Sequence, residues 1–247
     1  MKKIIFWLAL IVGIIAVIGA CKKKDDSTTT TTTTTAACSS SLSTTASGTL
    51  TGMTSTMGVD NMTGTYSLAW DGATPTAGCI DTSSDGQAIG FGAIPSDSLN
   101  FKAQYIVTSN TSFTEILTYY SDNNSCATVS GYHATSYTEF LVGDNITISA
   151  TESPYPKYGT KVSYKDTCFM AKGVTDTATA FINAMSTVSG AVTGTELNQS
   201  GSGSTYFNIM ALTDNHSGTT YDWLHVGPRS TSAYPDNYTS GSDTTYQ

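Results

Sequence analysis

Apolar and polar residues alternate in several short stretches through the middle of the chain, and turn-forming residues separate these stretches. Tyr66, Leu68 and Trp70 occupy every second position, which is the period expected of a half-buried strand. The same criteria predict further strands at 101–108, 113–120, 127–132, 137–142, 146–149, 161–170, 206–212 and 219–226. We therefore expect a fold that is mainly β.

Short polar turn sequences join three pairs of these predicted strands. They lie at 109–112, 143–145 and 214–218 and consist of Asn, Asp, Gly, Ser, Thr and His residues. Such residues favour tight turns, so each pair is predicted to form a β-hairpin. Consecutive hairpins indicate an antiparallel meander.

One late segment has helical spacing instead. Thr175 and Asp176 form a good amino-terminal cap, and Gly190 is placed for a left-handed cap at the other end. The apolar positions at helical spacing between them are Ala178, Phe181, Ile182, Met185 and Val188. We predict an amphipathic helix at 177–189, with its apolar stripe seated on the β body.

The two ends of the chain lack such patterns. Residues 28–35 are all threonine, and a tract of this kind buries too little apolar surface to offset the entropy of ordering its backbone. Residues 21–47 are therefore predicted to be a disordered tether, and residues 227–247, which show no periodicity, a flexible tail. A single β domain at 48–226 remains between them.

The first residues carry the strongest functional signal. Lys2 and Lys3 precede an uncharged apolar run at 4–20, which has the length of a signal-peptide core. The run ends in Ile18-Gly19-Ala20-Cys21, which resembles the lipobox of bacterial lipoproteins. An uncleaved transmembrane anchor is the alternative, but a stop-transfer helix is normally longer.

The resemblance implies a signal peptide at 1–20, cleavage before Cys21 and a lipid anchor on that cysteine. The protein is then exported and held on an envelope membrane through Cys21, with the outer membrane favoured and the leaflet open. Two or three acyl chains are enough for stable anchoring, whereas one is marginal.

Charge excludes one class of partner. Loss of residues 1–20 removes Lys2 and Lys3 from the 11 Lys and Arg, so 9 remain against 19 Asp and Glu, a net charge of −10. A chain this acidic repels nucleic acid, so we expect no nucleic-acid partner.

Four cysteines remain beyond Cys21, namely Cys38, Cys79, Cys126 and Cys168. An even number in an exported protein indicates two disulfides, whereas zinc sites usually have ligand pairs two to four residues apart, which are missing here. Three connectivities are possible. Because Cys38 lies at the edge of the domain, Cys79 with Cys126 and Cys38 with Cys168 is slightly favoured.

The order of elements resembles the lipocalin-like small-barrel domains. Gly64, Thr65 and Tyr66 open the first strand, the meander contains 142–148, and a helix comes late, although Tyr66 stands where that family usually has tryptophan. The resemblance implies an up-and-down barrel of about eight strands around an apolar ligand. A β-sandwich is the alternative fold, and the helix favours the barrel.

No catalytic or metal-binding pattern emerges from the residues. His133, His216 and His225 lie on separate segments without a neighbouring nucleophile and carboxylate, so we expect neither an enzyme nor a cofactor. The string 81–86 resembles the start of a calcium loop, but its twelfth position is Gly92 where a glutamate belongs. A polar turn without metal is the better interpretation.

The last predicted strand carries the most ligand-like side chains. Tyr221, Trp223 and His225 share one face and could stack on a sugar or line a pocket, or pack in the core. We therefore expect a binding module for a small apolar ligand or an envelope or extracellular partner. A structural coat or spacer lipoprotein without a pocket is the alternative.

Overall fold

The computed structural model describes residue 38 and residues 43–68, 78–81, 94–123, 125–148, 156–186, 188–213, 223–238 and 244–246. For residues 244–246 it describes the backbone alone. The lipobox, most of the tether, Trp70, Tyr221, the turn at 214–218 and most of the calcium-like string lie outside these residues. No helix in the described ranges is long and apolar enough to cross a membrane.

The described chain is built from strands and one helix. The strands are β1 (Thr49–Ser55), β2 (Gly58–Thr63), β3 (Thr65–Ser67), β4 (Ile80–Asp81), β5 (Asn100–Ser109), β6 (Ser112–Tyr120), β7 (Val129–Thr147), β8 (Tyr158–Gly173), β9 (Leu197–Ser200), β10 (Thr205–Thr213), β11 (Trp223–Val226) and β12 (Thr244–Tyr246). Helix α1 (Asp176–Asn183) lies between β8 and β9.

Ten of the strands form one antiparallel sheet in the order β12-β11-β10-β8-β7-β6-β5-β3, with β4 also pairing with β5 and β9 with β8. The sheet is nearly closed and barrel-like, which confirms the mainly β fold, and α1 is the one helix among the described residues. Strands β1 and β2 form a separate hairpin.

The first predicted hairpin is confirmed by β5 and β6. Their turn is fixed by its own side chains, because the hydroxyl of Ser112 lies 2.6 Å from that of Ser109 and 2.9 Å from that of Thr108. The backbone N–H of Thr111 donates to the Ser109 hydroxyl at 3.1 Å. Short polar side chains thus replace the turn's missing ladder bonds.

The predicted hairpin at 143–145 is wrong. The segments predicted as separate strands at 127–132, 137–142 and 146–149 form one 19-residue strand, β7, which pairs with β8. Between Val142, opposite Val162, and Asn145, opposite Thr160, the register shifts, so residues 143–144 are accommodated in a bulge. Residues that favour turns also favour bulges, and the sequence did not separate the two.

One face of the sheet, the inner face, carries the main core. It bears Tyr105, Phe113, Tyr137 and Tyr164, and the β1–β2 hairpin packs on it through three buried side chains, Leu50, Met53 and Met62. The backbone N–H of Thr54 also donates to the hydroxyl of Thr160 at 2.7 Å. The hairpin therefore fills part of the barrel interior.

The outer face is covered in part by the segment that precedes β1. Cys38 and Ala46 pack on Ile106, Ile116 and neighbouring apolar side chains. The backbone N–H of Ser47 donates to the carbonyl of Val107 at 3.0 Å. Cys38 and the residues from 43 to 47 thus belong to the folded domain, because a disulfide and a backbone bond fix them.

The cysteine pairing agrees with the favoured connectivity. The structure joins Cys38 to Cys168 and Cys79 to Cys126, with Cα–Cα distances of 5.6 and 5.8 Å. The longer loop spans 130 residues and ties the start of the domain to β8.

Helix α1 begins as predicted but is shorter. The hydroxyl of Thr175 accepts the N–H of Ala178 at 3.1 Å, and Ala178 and Ile182 are fully buried, which confirms the cap and the packed stripe. The helix ends at Asn183, not at 189. Asn183 bonds both backbone groups of Ala191, at 2.9 and 3.0 Å, so the chain folds back before another turn can form.

Residues 227–238 do not form the predicted flexible tail. Ser230 pairs with Phe207 beside β10, and Tyr238 is fully buried against Ile148 and Ile209. The Tyr238 hydroxyl donates to the carbonyl of Tyr158 at 3.2 Å. Further along the chain, β12 pairs with β11 in antiparallel orientation. Aromatic side chains anchor this segment without the periodicity on which the prediction depended.

Candidate functional site

The side chains predicted to contact a ligand on the last strand are buried. Trp223 and His225 are 2 % and 1 % exposed. Their neighbours Leu224 and Val226 belong to the inner core, so Trp223 and His225 lie on the outer face, where the ring of His225 is 6.4 Å from that of Tyr238. Ligand contact at these two side chains stays a prediction, as it does for Tyr221, which lies outside the described residues.

The inner face instead brings together a charged pair and four tyrosines. We call this set the Arg229 cluster, and its members are Arg229, Glu115, Tyr105, Tyr137, Tyr164 and Tyr206. Arg229 donates to Glu115 at 2.6 Å from Nη2, and Nη1 donates to the hydroxyl of Tyr137 at 2.6 Å. Weaker bonds run from Nε to Tyr164 at 3.2 Å and from Nη2 to Tyr105 at 3.4 Å.

The guanidinium also lies against aromatic rings. Its carbon is 4.9 Å from the ring centre of Tyr137, 5.4 Å from that of Tyr206 and 5.8 Å from that of Tyr164. Each arrangement is a cation–π contact, which adds to the hydrogen bonds. Arg229 is thus held by rings as well as by oxygen atoms.

Strand register explains why the cluster forms. Tyr105 on β5 lies opposite Glu115 on β6, and Tyr164 on β8 lies opposite Tyr206 on β10. Side chains opposite each other on one face of a sheet are neighbours, so adjacent strands each contribute one polar group. Arg229 follows β11 and is held in place by the pairing of the next residue, Ser230.

The ion pair keeps contact with solvent. The side chains of Arg229 and Glu115 are 24 % and 28 % exposed. Glu115 Oε2 accepts from both Arg229 and Tyr137, whereas Oε1 has no partner among the described residues. Among the described residues Arg229 uses four of its five N–H donors, and the fifth belongs to Nη1.

Protonation in the cluster is well defined. Burial of Arg229 disfavours its charged form, but Glu115 together with Tyr137, Tyr164 and Tyr105 outweighs burial, so the pKa of the guanidinium lies well above its ordinary value. Burial raises the pKa of Tyr137 well above 10, although the charge of Arg229 opposes the shift. Burial also raises the pKa of Tyr206, so near neutral pH the cluster holds a charged arginine and neutral hydroxyls on Tyr137 and Tyr206.

His133 occupies a separate place on the inner face. Its Nδ1 bonds the hydroxyl of Tyr119, and its ring stacks on Phe169 at 6.2 Å. Burial lowers the pKa of His133 to about 4, with the charge of Glu115 opposing the shift. His133 is thus a half-buried histidine that is neutral near pH 7, and in the described ranges no three His, Cys, Asp or Glu side chains form a group that could hold a metal ion.

No protein-family model matches the chain, and no match to it was found among the curated proteins. The class of the protein therefore rests on its own structure: a mainly β, barrel-like domain with two disulfides and a polar cluster on its inner face.

The Arg229 cluster matches no sequence motif, but the sequence contains two signals for it. Arg229 is the sole arginine among 247 residues. Glu115 is a carboxylate at an inward position of β6, where Phe113, Leu117 and Tyr119 take the other inward positions. A buried charge requires a partner, so an inward glutamate and a single arginine form a natural pair.

Proposed function

We propose that the protein is an exported lipoprotein, held on an envelope membrane through Cys21, whose barrel-like domain binds a small molecule at the Arg229 cluster. The lipobox resemblance supports the anchor, and the two disulfides support export, since such bonds persist in oxidising compartments. The proposal is a binding function without catalysis.

The observation that carries the binding function is the partial exposure of the Arg229–Glu115 pair. An ion pair inside a barrel is a poor source of stability, because apolar side chains of similar volume usually stabilise the fold at least as well. An ion pair in this place therefore indicates a role other than stability. Here the side chains of the pair are about a quarter exposed, and Glu115 Oε1 has no partner among the described residues. Convergent polar groups beside aromatic rings are typical of small-molecule sites.

The sequence predicted an apolar ligand, and the accessible groups favour a polar one. The buried apolar side chains of the inner face pack against Leu50, Met53 and Met62 from the β1–β2 hairpin. What reaches solvent at the cluster is the ion pair and the half-buried ring of Tyr206. An apolar ligand there would desolvate Glu115 without replacing its bonds to water.

Native mass spectrometry of the full chain extracted from its own membranes tests the binding function. We expect a small molecule on the wild type and its loss in Glu115→Gln, which keeps the shape of the side chain and removes its charge. Glu139→Gln, in the exposed pair with Lys165, is the matched control and should retain the ligand. A wild type without any bound molecule contradicts the proposal.

A spacer lipoprotein without a ligand is the second candidate, and the filling of the inner face by the β1–β2 hairpin favours it. In that case the Arg229 cluster only closes the barrel. The wild type would then carry no molecule, and Glu115→Gln would alter stability alone.

A further inference from the structure

We infer that the ligand of the Arg229 cluster is a small apolar molecule with a protonated amine, whose ammonium group bonds Glu115 and whose apolar body lies in the middle of the barrel towards α1. This inference rests on the proposed binding function and specifies its ligand class. It follows from where the inner face is accessible, from the side chains that line this space and from the charges around it.

The inner face is buried at both ends and accessible in the middle. On the neighbouring strands β5 to β8, the inward residues towards the two ends are buried, and they are Phe101, Tyr105, Phe113, Tyr119, Gly131, Tyr137, Tyr164 and Ala171. Between them lie partly exposed inward residues, namely Ala103, Glu115, Leu117, His133, Thr135 and Phe169. We call the space that these six residues line the mid-barrel pocket.

Strand register joins the residues of the mid-barrel pocket. Leu117 lies opposite Ala103 on β5 and opposite His133 on β7. Thr135 lies opposite Glu115 on β6 and opposite the lining residue of β8. Because residues opposite each other on one face of a sheet are neighbours, the partly exposed positions form two adjacent rows across the strands. The mid-barrel pocket is therefore one continuous space.

The end of the mid-barrel pocket near α1 is apolar. Phe181 from α1 packs in one apolar cluster with Leu117 and Ala103. It packs in a second apolar cluster with Phe169. The helix thus closes this end of the pocket, and the side chains that meet there are apolar. An apolar ligand body gains affinity at this end because it leaves water.

The opposite end of the pocket is the carboxylate of Glu115. Its Oε2 accepts from Arg229 and Tyr137, whereas Oε1 has no partner among the described residues. An ionised carboxylate accepts on both oxygens, so Oε1 can bind a donor while Oε2 keeps its present bonds. Because hydrogen bonds are stronger when the donor and the acceptor are both charged, an ammonium group suits Oε1 better than a hydroxyl.

The charges around the mid-barrel pocket favour a cation over an anion. Arg229 offsets the charge of Glu115, but the charge of Asp166 has no cation beside it: Oδ1 is buried without a partner, and only neutral groups bond Oδ2. The field of Asp166 reaches the cluster, since it helps to raise the pKa of Tyr206. His133 is neutral near pH 7 and adds no charge. An ammonium group is attracted by the remaining negative charge, and a carboxylate is repelled.

The test is fluorine NMR on the full chain in nanodiscs of zwitterionic phosphatidylcholine, with empty nanodiscs as the blank for partition into lipid. The probes are ring-fluorinated phenethylamine, phenethyl alcohol and phenylpropionate, which share a phenyl ring and differ in charge. We expect saturable binding of the amine with a Kd of about 1 mM or tighter, binding of the alcohol about tenfold or more weaker, and no saturable binding of the carboxylate. An amine that does not saturate, or an alcohol that binds as tightly, overturns the inference.

Two charge variants place the amine. Glu115→Gln keeps the shape of the side chain and should weaken binding of phenethylamine about tenfold or more, because the ammonium group loses its charged acceptor. Glu139→Gln removes a charge from the exposed pair with Lys165 and should leave binding unchanged. Saturable amine binding that is unaffected by Glu115→Gln lies elsewhere and overturns the inference.

A third variant, Ala103→Leu, tests the space itself. The larger side chain should fill the mid-barrel pocket, abolish binding of phenethylamine and leave the melting temperature within about 4 °C of wild type, because room exists for it. A fully packed interior would be overfilled, and the variant would then melt lower than that. Such a loss of stability, or amine binding retained in Ala103→Leu, contradicts the mid-barrel pocket.

The outcome for the ligand class is distinct from the outcome for the binding function. If phenethylamine does not bind but native mass spectrometry finds a molecule that Glu115→Gln releases, the amine inference fails and the binding function stands. If neither experiment finds a ligand, both fail.

Discussion

A residue's surroundings decide what its charge contributes, and two ion pairs of this protein illustrate the difference. The Arg229–Glu115 pair lies among buried tyrosines at 2.6 Å. The Lys165–Glu139 pair is 3.5 Å long with side chains 39 % and 67 % exposed. Removing one member of the first pair leaves a charge in a poorly solvated place, whereas water replaces the lost partner of the second.

The first prediction compares the two pairs. Arg229→Ala should lower the free energy of unfolding by about 3 kcal/mol, because Glu115 and the hydroxyls of Tyr137 and Tyr164 lose their partner. Lys165→Ala should lower it by less than about 1 kcal/mol. Urea denaturation at pH 7 measures both, and similar losses in the two variants would contradict the structural role of Arg229.

The second prediction concerns pH. Because burial lowers the pKa of His133 from 6.5 to about 4, the unfolded chain takes up a proton before the folded protein does. The contribution of neutral His133 to the free energy of unfolding is complete above pH 6.5 and is lost as the pH falls towards 4. This loss is on the order of 2 to 3 kcal/mol. In His133→Asn this part of the acid destabilisation should disappear from urea midpoints measured at pH 7 and pH 4.5. An unchanged pH dependence in the variant would show that other groups cause it.

At the scale of elements, α1 is stabilised by the packing of its side chains and not by its own helical hydrogen bonds. Eight residues are too few for a stable isolated helix, so α1 depends on its buried side chains. Ile182 is fully buried among Ala171, Val188 and Ala191, and Phe181 meets the ring of Tyr119 edge-on at 5.5 Å.

The third prediction tests that packing. Ile182→Ala should destabilise the domain by roughly 2 to 5 kcal/mol, because it leaves a cavity in a fully buried site. Val174→Ala just before the helix, at a side chain that is 45 % exposed, is the control and should change stability by less than about 0.5 kcal/mol. Thermal unfolding measures both, and an Ile182→Ala protein that melts like the wild type would refute the packed helix.

The elements that local sequence predicted well are those that local chemistry defines. Strands β5 and β6 have clear alternation and a turn that closes on itself, and Thr175 caps α1 through its own hydroxyl. The bulge in β7 and the end of α1 depend on distant partners: Val142 and Asn145 are set by β8, and Asn183 turns back to Ala191. The periodicity of apolar residues within a segment does not predict contacts with distant residues.

The whole molecule is joined by contacts between residues far apart in the sequence. Glu115 and Arg229 are 114 residues apart, and the disulfide of Cys38 spans 130. Composition and the alternation of apolar residues predicted the fold class, and the position of Cys38 at the edge of the domain slightly favoured the observed pairing. They could not predict the Arg229 cluster, because its formation requires the order of strands in the sheet and the direction in which β11 faces.

The fourth prediction concerns the disulfides. Thiol titration of the purified, denatured protein without reductant should find no free thiol at Cys38, Cys79, Cys126 or Cys168, and a count of about four would contradict the pairing. Replacing Cys38 and Cys168 by serine should cost roughly 2 to 5 kcal/mol, because the unfolded chain regains the freedom of a long loop.

The proposed function requires that the domain be held at a membrane by lipid on Cys21, and metabolic labelling with palmitate measures this directly. Wild-type protein should incorporate the label. Its polypeptide should lack residues 1–20 of the precursor, and the attached lipid should add its own mass. Cys21→Ala should incorporate none and remain as the full-length precursor. Label that still enters Cys21→Ala, or a wild type without label, would contradict the anchor.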